Sequence, residues 1–202
     1  MKIFLTGGTG FIGSQFIRQA LALGHEVVAQ RRPGSQPRIT LPLEPQWVDR
    51  PLDGDFSREL KGSDVVVHLA AHTPNPPYAS LSDCLYWNAV ASVKLIEQAA
   101  QAGVNDIVVA GTYFEYGSAT QGQVRVHPNT QMHPTQAYPI SKAAATIALT
   151  GLARLLGLRL QILRIFQVYG EGEASTRFWP SLKAAALEGR DFPMSAGTQV
   201  RD

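Results

Sequence analysis

Tyr138 and Lys142 stand four residues apart in "AYPISKAAA", a spacing that puts both side chains on one face of a helix. A phenol titrating at about 10 is a poor acid or base at neutral pH. A neighbouring ammonium favours the phenolate and lowers that value toward the working range. The pair therefore reads as a proton-transfer device. Thr112 is a third candidate: in "DIVVAGTYFEYG" (106–117) an apolar run ends in Gly-Thr and two aromatics, which raises the question of a catalytic hydroxyl. A fourth feature is "TGGTGFIG" (6–13), with Gly7, Gly10 and Gly13 in the spacing GxxGxxG and Phe11 and Ile12 between the last two.

Glycines at those places permit a tight turn, close approach of backbone to a pyrophosphate, and packing of helix on strand. The phosphates of a dinucleotide then sit at a helix N-terminus, where free N–H groups and the dipole favour negative charge. An oxidised nicotinamide brought in this way would add positive charge near Tyr138, and Lys142 could hold its ribose. The end of the second apolar run, "HEVVAQRRPG", indicates which dinucleotide. A site for NAD usually offers a carboxylate to the ribose 2′-OH there. Arg31 and Arg32 occupy that place instead, and a guanidinium binds a 2′-phosphate bidentately. Such a bond contributes roughly 1.5–3 kcal/mol, so NADP(H) is expected, with NAD the alternative.

The framework that holds these residues is legible in the apolar pattern. Runs at 2–6, 26–30, 64–71, 106–112 and 158–166 are nearly continuous rather than alternating, as in strands buried on both faces of a parallel sheet. Between them lie helix-length segments at 14–23, 83–102 and 139–156, and another at 176–188. The second carries Val90, Val93, Leu95 and Ile96 on one face, with Glu97 and Gln98 turned away. Gly24, Gly103 and Gly157 close three of these helices. The alternation predicts an α/β, doubly wound parallel sheet of the Rossmann type. "RRPGSQPRITLPLEP" and "HTPNPPY" read as loops.

Composition narrows the class. The 202 residues are 45% hydrophobic and carry a net charge of +2, and no basic cluster argues for nucleic acid. No apolar run approaches the ~18 residues of a membrane span, and "MKIFLTGG" lacks the parts of a signal peptide. A single cysteine, Cys84, excludes an internal disulfide and fits a reducing cytoplasmic setting. His72 and His133 lack ligand spacing, so no metal is expected.

Taken in order, "TGGTGFIG", "DVVVHLAA", Asn88, the Tyr-Gly after 115, "YPISK" and "LRIFQVYG" resemble the extended short-chain dehydrogenase/reductase family, in particular its NAD(P)-dependent nucleotide-sugar epimerases, dehydratases and ketoreductases. The resemblance covers the chain from Lys2 to Asp202. It implies that Thr112, Tyr138 and Lys142 form the catalytic triad. It also implies that Leu69, Ala70 and Ala71 line the cofactor cleft, that Asn88 lies near the site, and that Thr112, Tyr113 and Gln167 meet a nucleotide-linked sugar. Residues 1–170 would be the NAD(P)-binding domain. Residues 171–202 would begin a C-terminal substrate-binding part, reached through "GTQVRD" (197–202) and mostly absent from the chain. A homodimer through the helices at 83–102 and 139–156 is implied as well.

Departures from the family pattern refine the reaction. The Asp-Glu pair that follows the catalytic Thr in 4,6-dehydratases is replaced by Tyr113 and Phe114, which disfavours dehydration. Gly111 stands where the family has a first serine, and Gln167 where it often has asparagine. Glu115 occupies a place where the family usually has an apolar residue, and no catalytic role is assigned to it. The expectation is hydride transfer at sugar C4, by a ketoreductase or an epimerase. A second reading is a non-catalytic NADP-binding regulator on the same fold. Its signature would be loss of Tyr138 or Lys142, and both are present.

Overall fold

A computed structural model describes residues 1–120, 122 and 125–198. The "GTQVRD" junction therefore falls, from residue 199 on, outside the described residues. Six strands form one sheet in the order β3-β2-β1-β4-β5-β6: β1 (Lys2–Thr6), β2 (Glu26–Arg31), β3 (Gln46–Asp49), β4 (Val65–His68), β5 (Asp106–Thr112) and β6 (Arg159–Ile165). Every neighbouring pair is parallel. The order reverses between β1 and β4, which opens a crevice at the carboxyl ends of those strands, the usual binding place of such sheets. Thr6 pairs with His68 at that end of the register.

The helices are α1 (Phe11–Ala22), α2 (Ser57–Leu60), α3 (Leu81–Leu85), α4 (Ala91–Gln101), α5 (Ala137–Leu156) and α6 (Phe178–Leu187). One apolar cluster gathers Phe4, Val66, Leu95, Ile96, Ile107 and Leu149 on one face of the sheet. The other gathers Ile3, Leu5, Ile17, Val27 and Ala29 beneath α1. Both faces of the central strands are thus covered, as their near-continuous apolar sequences require. At the end of α5, Gly157 takes φ +69° and caps the helix in the left-handed region, where glycine has no Cβ penalty.

Three expectations need correction. The strand β3 falls in no predicted run, because "QWVD" buries only Val48 at a sheet edge. β6 alternates between exposed and half-buried residues and is not covered on both faces. The segment expected as one helix at 83–102 is interrupted by a turn of π-helix at Tyr86–Val90. The extra residue in that turn rotates the helix beyond it. Val90 is therefore exposed, and Gln98 turns inward to accept from the Phe56 N–H at 2.6 Å and donate to the Gly54 carbonyl at 3.1 Å.

Candidate active site

The glycine turn comes first in the chain and first in the site. Gly7 takes φ +73°, and a Cβ there would lie 2.6 Å from the Ala70 nitrogen. A Cβ on Gly13 would collide with the Gly7 carbonyl, and one on Gly10 would press on it at 3.2 Å. The Gly10 N–H donates to the Gly7 carbonyl at 3.0 Å, so the turn is closed before α1 begins. Helix α1 starts without a side-chain cap, which leaves its first N–H groups for an anion. Leu69, Ala70 and Ala71 leave β4 directly over Gly7, with the Leu69 N–H on the Thr6 carbonyl at 3.2 Å. This cradle fits a dinucleotide pyrophosphate, with Gly7, Gly10, Phe11, Ile12 and Gly13 along it.

A chain of buried hydrogen bonds runs from this turn to α5. Thr6 Oγ1 accepts from the Ala70 N–H at 3.3 Å and lies 2.6 Å from His68 Nδ1. His68 Nε2 lies 2.8 Å from Ser92 Oγ, which donates to the Asn88 carbonyl at 2.8 Å. With the Ser92 proton so committed, donor counting assigns the His68 proton to Nε2 and makes Thr6 the donor to Nδ1. Burial pushes His68 down to about 3, with help from the Lys142 charge, so the ring is neutral. Asn88 then clamps His72 through its N–H at 2.7 Å and its carbonyl at 3.2 Å, and donates to Ser141 Oγ at 2.9 Å. Ser141 in turn donates to the Tyr138 carbonyl at 2.7 Å. Asn88 is near the site, as expected. His68, Ser92 and Ser141 were not foreseen.

Thr112, Tyr138 and Lys142 are all buried, Thr112 at the end of β5 and the other two in the first turns of α5. Thr112 Oγ1 accepts from the Phe114 N–H at 3.3 Å, which leaves its proton to donate elsewhere. Among the described residues the Lys142 ammonium makes no hydrogen bond or ion pair. Burial lowers Lys142 to about 8, against an opposing pull from Glu115. Tyr138 is raised above the ordinary tyrosine value, by burial first and then by Glu115, Tyr78 and Cys84. The chain's own surroundings thus favour the protonated form, and the lowering expected from Lys142 and a bound nicotinamide would have to act against them. The Tyr78 ring stacks on Tyr138 with centroids 5.9 Å apart, a neighbour that no sequence spacing announced.

The remaining candidates divide. Tyr113 and Gln167 are brought together, the Gln167 amide donating to the Tyr113 hydroxyl at 2.7 Å. Tyr113 also stacks between Phe114 and Phe166. Arg31 is already engaged: its fork grips Asp49 at 2.8 and 3.3 Å and lies 4.7 Å over the Trp47 ring. Arg32 is exposed, with no ion pair among the described residues. His133 is held by its backbone to Tyr116 and Ser118. The described residues contain no cluster of His, Cys, Asp or Glu that could hold a metal, and no helix long and apolar enough to cross a membrane.

Sheet order and glycine cradle together define a dinucleotide-binding α/β protein. The chain belongs to the NAD dependent epimerase/dehydratase family, whose model matches residues 3–202; these are extended short-chain dehydrogenase/reductase enzymes. It is 29% identical to a UDP-glucose 4-epimerase of Corynebacterium glutamicum, over 100% of this chain and 66% of that protein. It is 30% identical to a dTDP-glucose 4,6-dehydratase of Mycolicibacterium smegmatis, over 100% and 64%. The chain thus spans about two thirds of the length of these curated relatives. Among solved structures, a dTDP-glucose 4,6-dehydratase from Streptomyces venezuelae with NAD bound matches with a TM-score of 0.80 at 27% identity, covering 94% of this chain and 63% of that one. A UDP-glucose 4-epimerase from Thermotoga maritima with UDP-glucose matches with a TM-score of 0.79 at 25% identity, covering 100% and 68%.

Proposed function

We propose that this protein transfers hydride at C4 of a nucleotide-linked sugar, as a 4-epimerase or 4-ketoreductase. The observation that carries the reading is the burial of Thr112, Tyr138 and Lys142, together with a turn that only glycine can form at Gly7 and Gly13. The nicotinamide, when bound, supplies the hydride acceptor or donor. The chain's own residues do the rest. Thr112, with its proton free, donates to the sugar oxygen. Tyr138 gives or takes the proton at that oxygen, and Lys142 supports the charge that develops.

Both epimerases and dehydratases stand among the relatives, and the residues after Thr112 separate them. Removal of water needs an acid and a base. Tyr113 and Phe114 supply no carboxyl group for either task, and their rings stack with Phe166. Glu115 is bonded beneath the turn rather than presented at its surface. A 4,6-dehydratase is therefore disfavoured. A purely regulatory NADP-binding protein is disfavoured by the intact Tyr138–Lys142 pair.

The reading is tested by offering UDP-glucose, UDP-galactose and a nucleotide 4-keto-sugar with NAD(H) or NADP(H). Interconversion of the first two, or NADPH oxidation by the third, supports it. The substitution Tyr138→Phe should remove turnover and leave cofactor binding in place. Turnover retained in that variant overturns the assignment. The partner surface belongs to the same reading: Val90 and Ile147, exposed on the segment before α4 and on α5, would lie in a homodimer seam. Ile147→Asp should halve the mass seen by light scattering; an unchanged mass refutes the seam.

A further inference from the structure

Glu115 is fully buried, and three donors converge on its carboxylate. Oε1 accepts from the Thr112 N–H at 2.8 Å. Oε2 accepts from the Thr146 hydroxyl at 2.8 Å and from Arg164 Nε at 2.9 Å. The Thr112 hydroxyl accepts from the Phe114 N–H, so the two side chains close a reciprocal cap around one turn of 3-10 helix. Arg164 is fixed in its turn: it donates to the Tyr116 hydroxyl at 3.1 Å and the Pro128 carbonyl at 2.8 Å, and lies 4.8 Å over the Tyr116 ring. A buried carboxylate without a partner would be strongly unfavourable; this one is paired and fully hydrogen-bonded.

Gly111 completes the arrangement. A Cβ there would lie 2.8 Å from Glu115 Oε1 and 3.0 Å from Ile162 Cγ2. Two departures from the family pattern are thereby one. A side chain at 111 would press on the carboxylate at 115 where it meets the Thr112 amide.

We infer that Glu115 is a positioning residue for Thr112: its carboxylate, anchored by Arg164 and Thr146, fixes the backbone from which the Thr112 hydroxyl projects, in the space that Gly111 leaves open. The inference rests on the assignment of Thr112 as the hydroxyl that meets the sugar. The geometry of the brace stands apart from that assignment, and so does its test.

Amide hydrogen exchange followed by NMR on the intact protein reads the brace without any substrate. In Glu115→Val the Thr112 amide should exchange about tenfold faster or more, beyond any change at Val108 and Val109 in the same strand. Glu115→Gln keeps an oxygen at the Oε1 position and should restore most of that protection. Gly111→Ser should displace the carboxylate and repeat the selective loss. If Thr112 instead moves in step with Val108 and Val109 in all three variants, Glu115 holds the fold in general and the inference is wrong. Gly111→Ser, which leaves Glu115 and Arg164 in the chain, keeps the comparison available where Glu115→Val folds poorly: selective loss of Thr112 protection there supports the inference, and a change in step with Val108 and Val109 overturns it. Failure of the hydride-transfer reading would show differently, as absent turnover with the Thr112 protection intact.

Discussion

The Asn88 side-chain amide donates to Ser141 Oγ across 2.9 Å, and this bond ties the π-turn ahead of α4 to the first turn of α5. Through Ser141 it reaches the Tyr138 carbonyl, and through the Asn88 carbonyl and Ser92 it reaches His68 and Thr6. The strand that feeds the glycine turn and the helix that carries Tyr138 and Lys142 are thus held in one register by buried polar bonds. Such a network is favourable only when every member is satisfied.

Asn88→Ala should cost about 1–3 kcal/mol, because the His72 N–H loses its acceptor and the Ser141 hydroxyl its donor. Ser141→Ala in the same background should cost less than it does alone, since the two share a bond. Urea unfolding of the two single variants and the double measures this. Strict additivity would show that the network does not act as a unit.

His68 gives the fold an acid sensitivity of known sign. Its folded value, about 3, lies below the ordinary histidine value of about 6.5. Between those limits the unfolded chain binds the proton and the folded chain does not. Stability from this group is fully present above about pH 6.5 and falls as the pH drops toward 3, by at most about 1.4 kcal/mol per pH unit. In His68→Asn, the slope of unfolding free energy against pH between 4 and 6 should be shallower by a measurable part of that figure. An unchanged slope would mean that the ring is not held neutral.

Cofactor choice should turn on Arg32 rather than Arg31. Asp49 already holds the Arg31 fork, whereas Arg32 is exposed, in a loop where Ser35 donates to the Arg32 carbonyl and accepts from Thr9 of the glycine turn. Arg32→Ala should weaken NADP(H) by roughly tenfold to a hundredfold, the loss of one charged hydrogen bond, and leave NAD(H) nearly unchanged. Arg31→Ala should have the smaller effect on the ratio. Fluorescence titration with NADPH and NADH decides it, and equal losses for both cofactors would refute the preference.

What could be read in the sequence was what is local. β1, β2 and β4 bury both faces, and β5 buries one and half-buries the other, so each announces itself as an apolar run. β3 buries one residue at an edge and announces nothing. Tyr138, Lys142 and the glycine turn stand out by residue type and short spacing, whereas Thr112 is picked out by the resemblance of the motifs around it. The Thr6–His68 bond joins positions 62 apart, and Asn88–Ser141 joins positions 53 apart. No periodicity carries such pairings. Glu115 shows the same limit over a short distance. Only the place of its carboxylate, between the Thr112 N–H and Arg164, shows what it touches, and burial, followed by its charge, raises Tyr138.

The proposed chemistry is hydride transfer at sugar C4, and it ends there. The decisive measurement uses the protein with nicotinamide cofactor deuterated at the transferring position and a nucleotide 4-keto-sugar, with the product analysed by mass spectrometry and NMR. Hydride transfer at C4 predicts deuterium at C4 of an alcohol product, and none in Tyr138→Phe. Deuterium at C6 of a deoxy-sugar would mean that water is removed without the acid pair, and would contradict it.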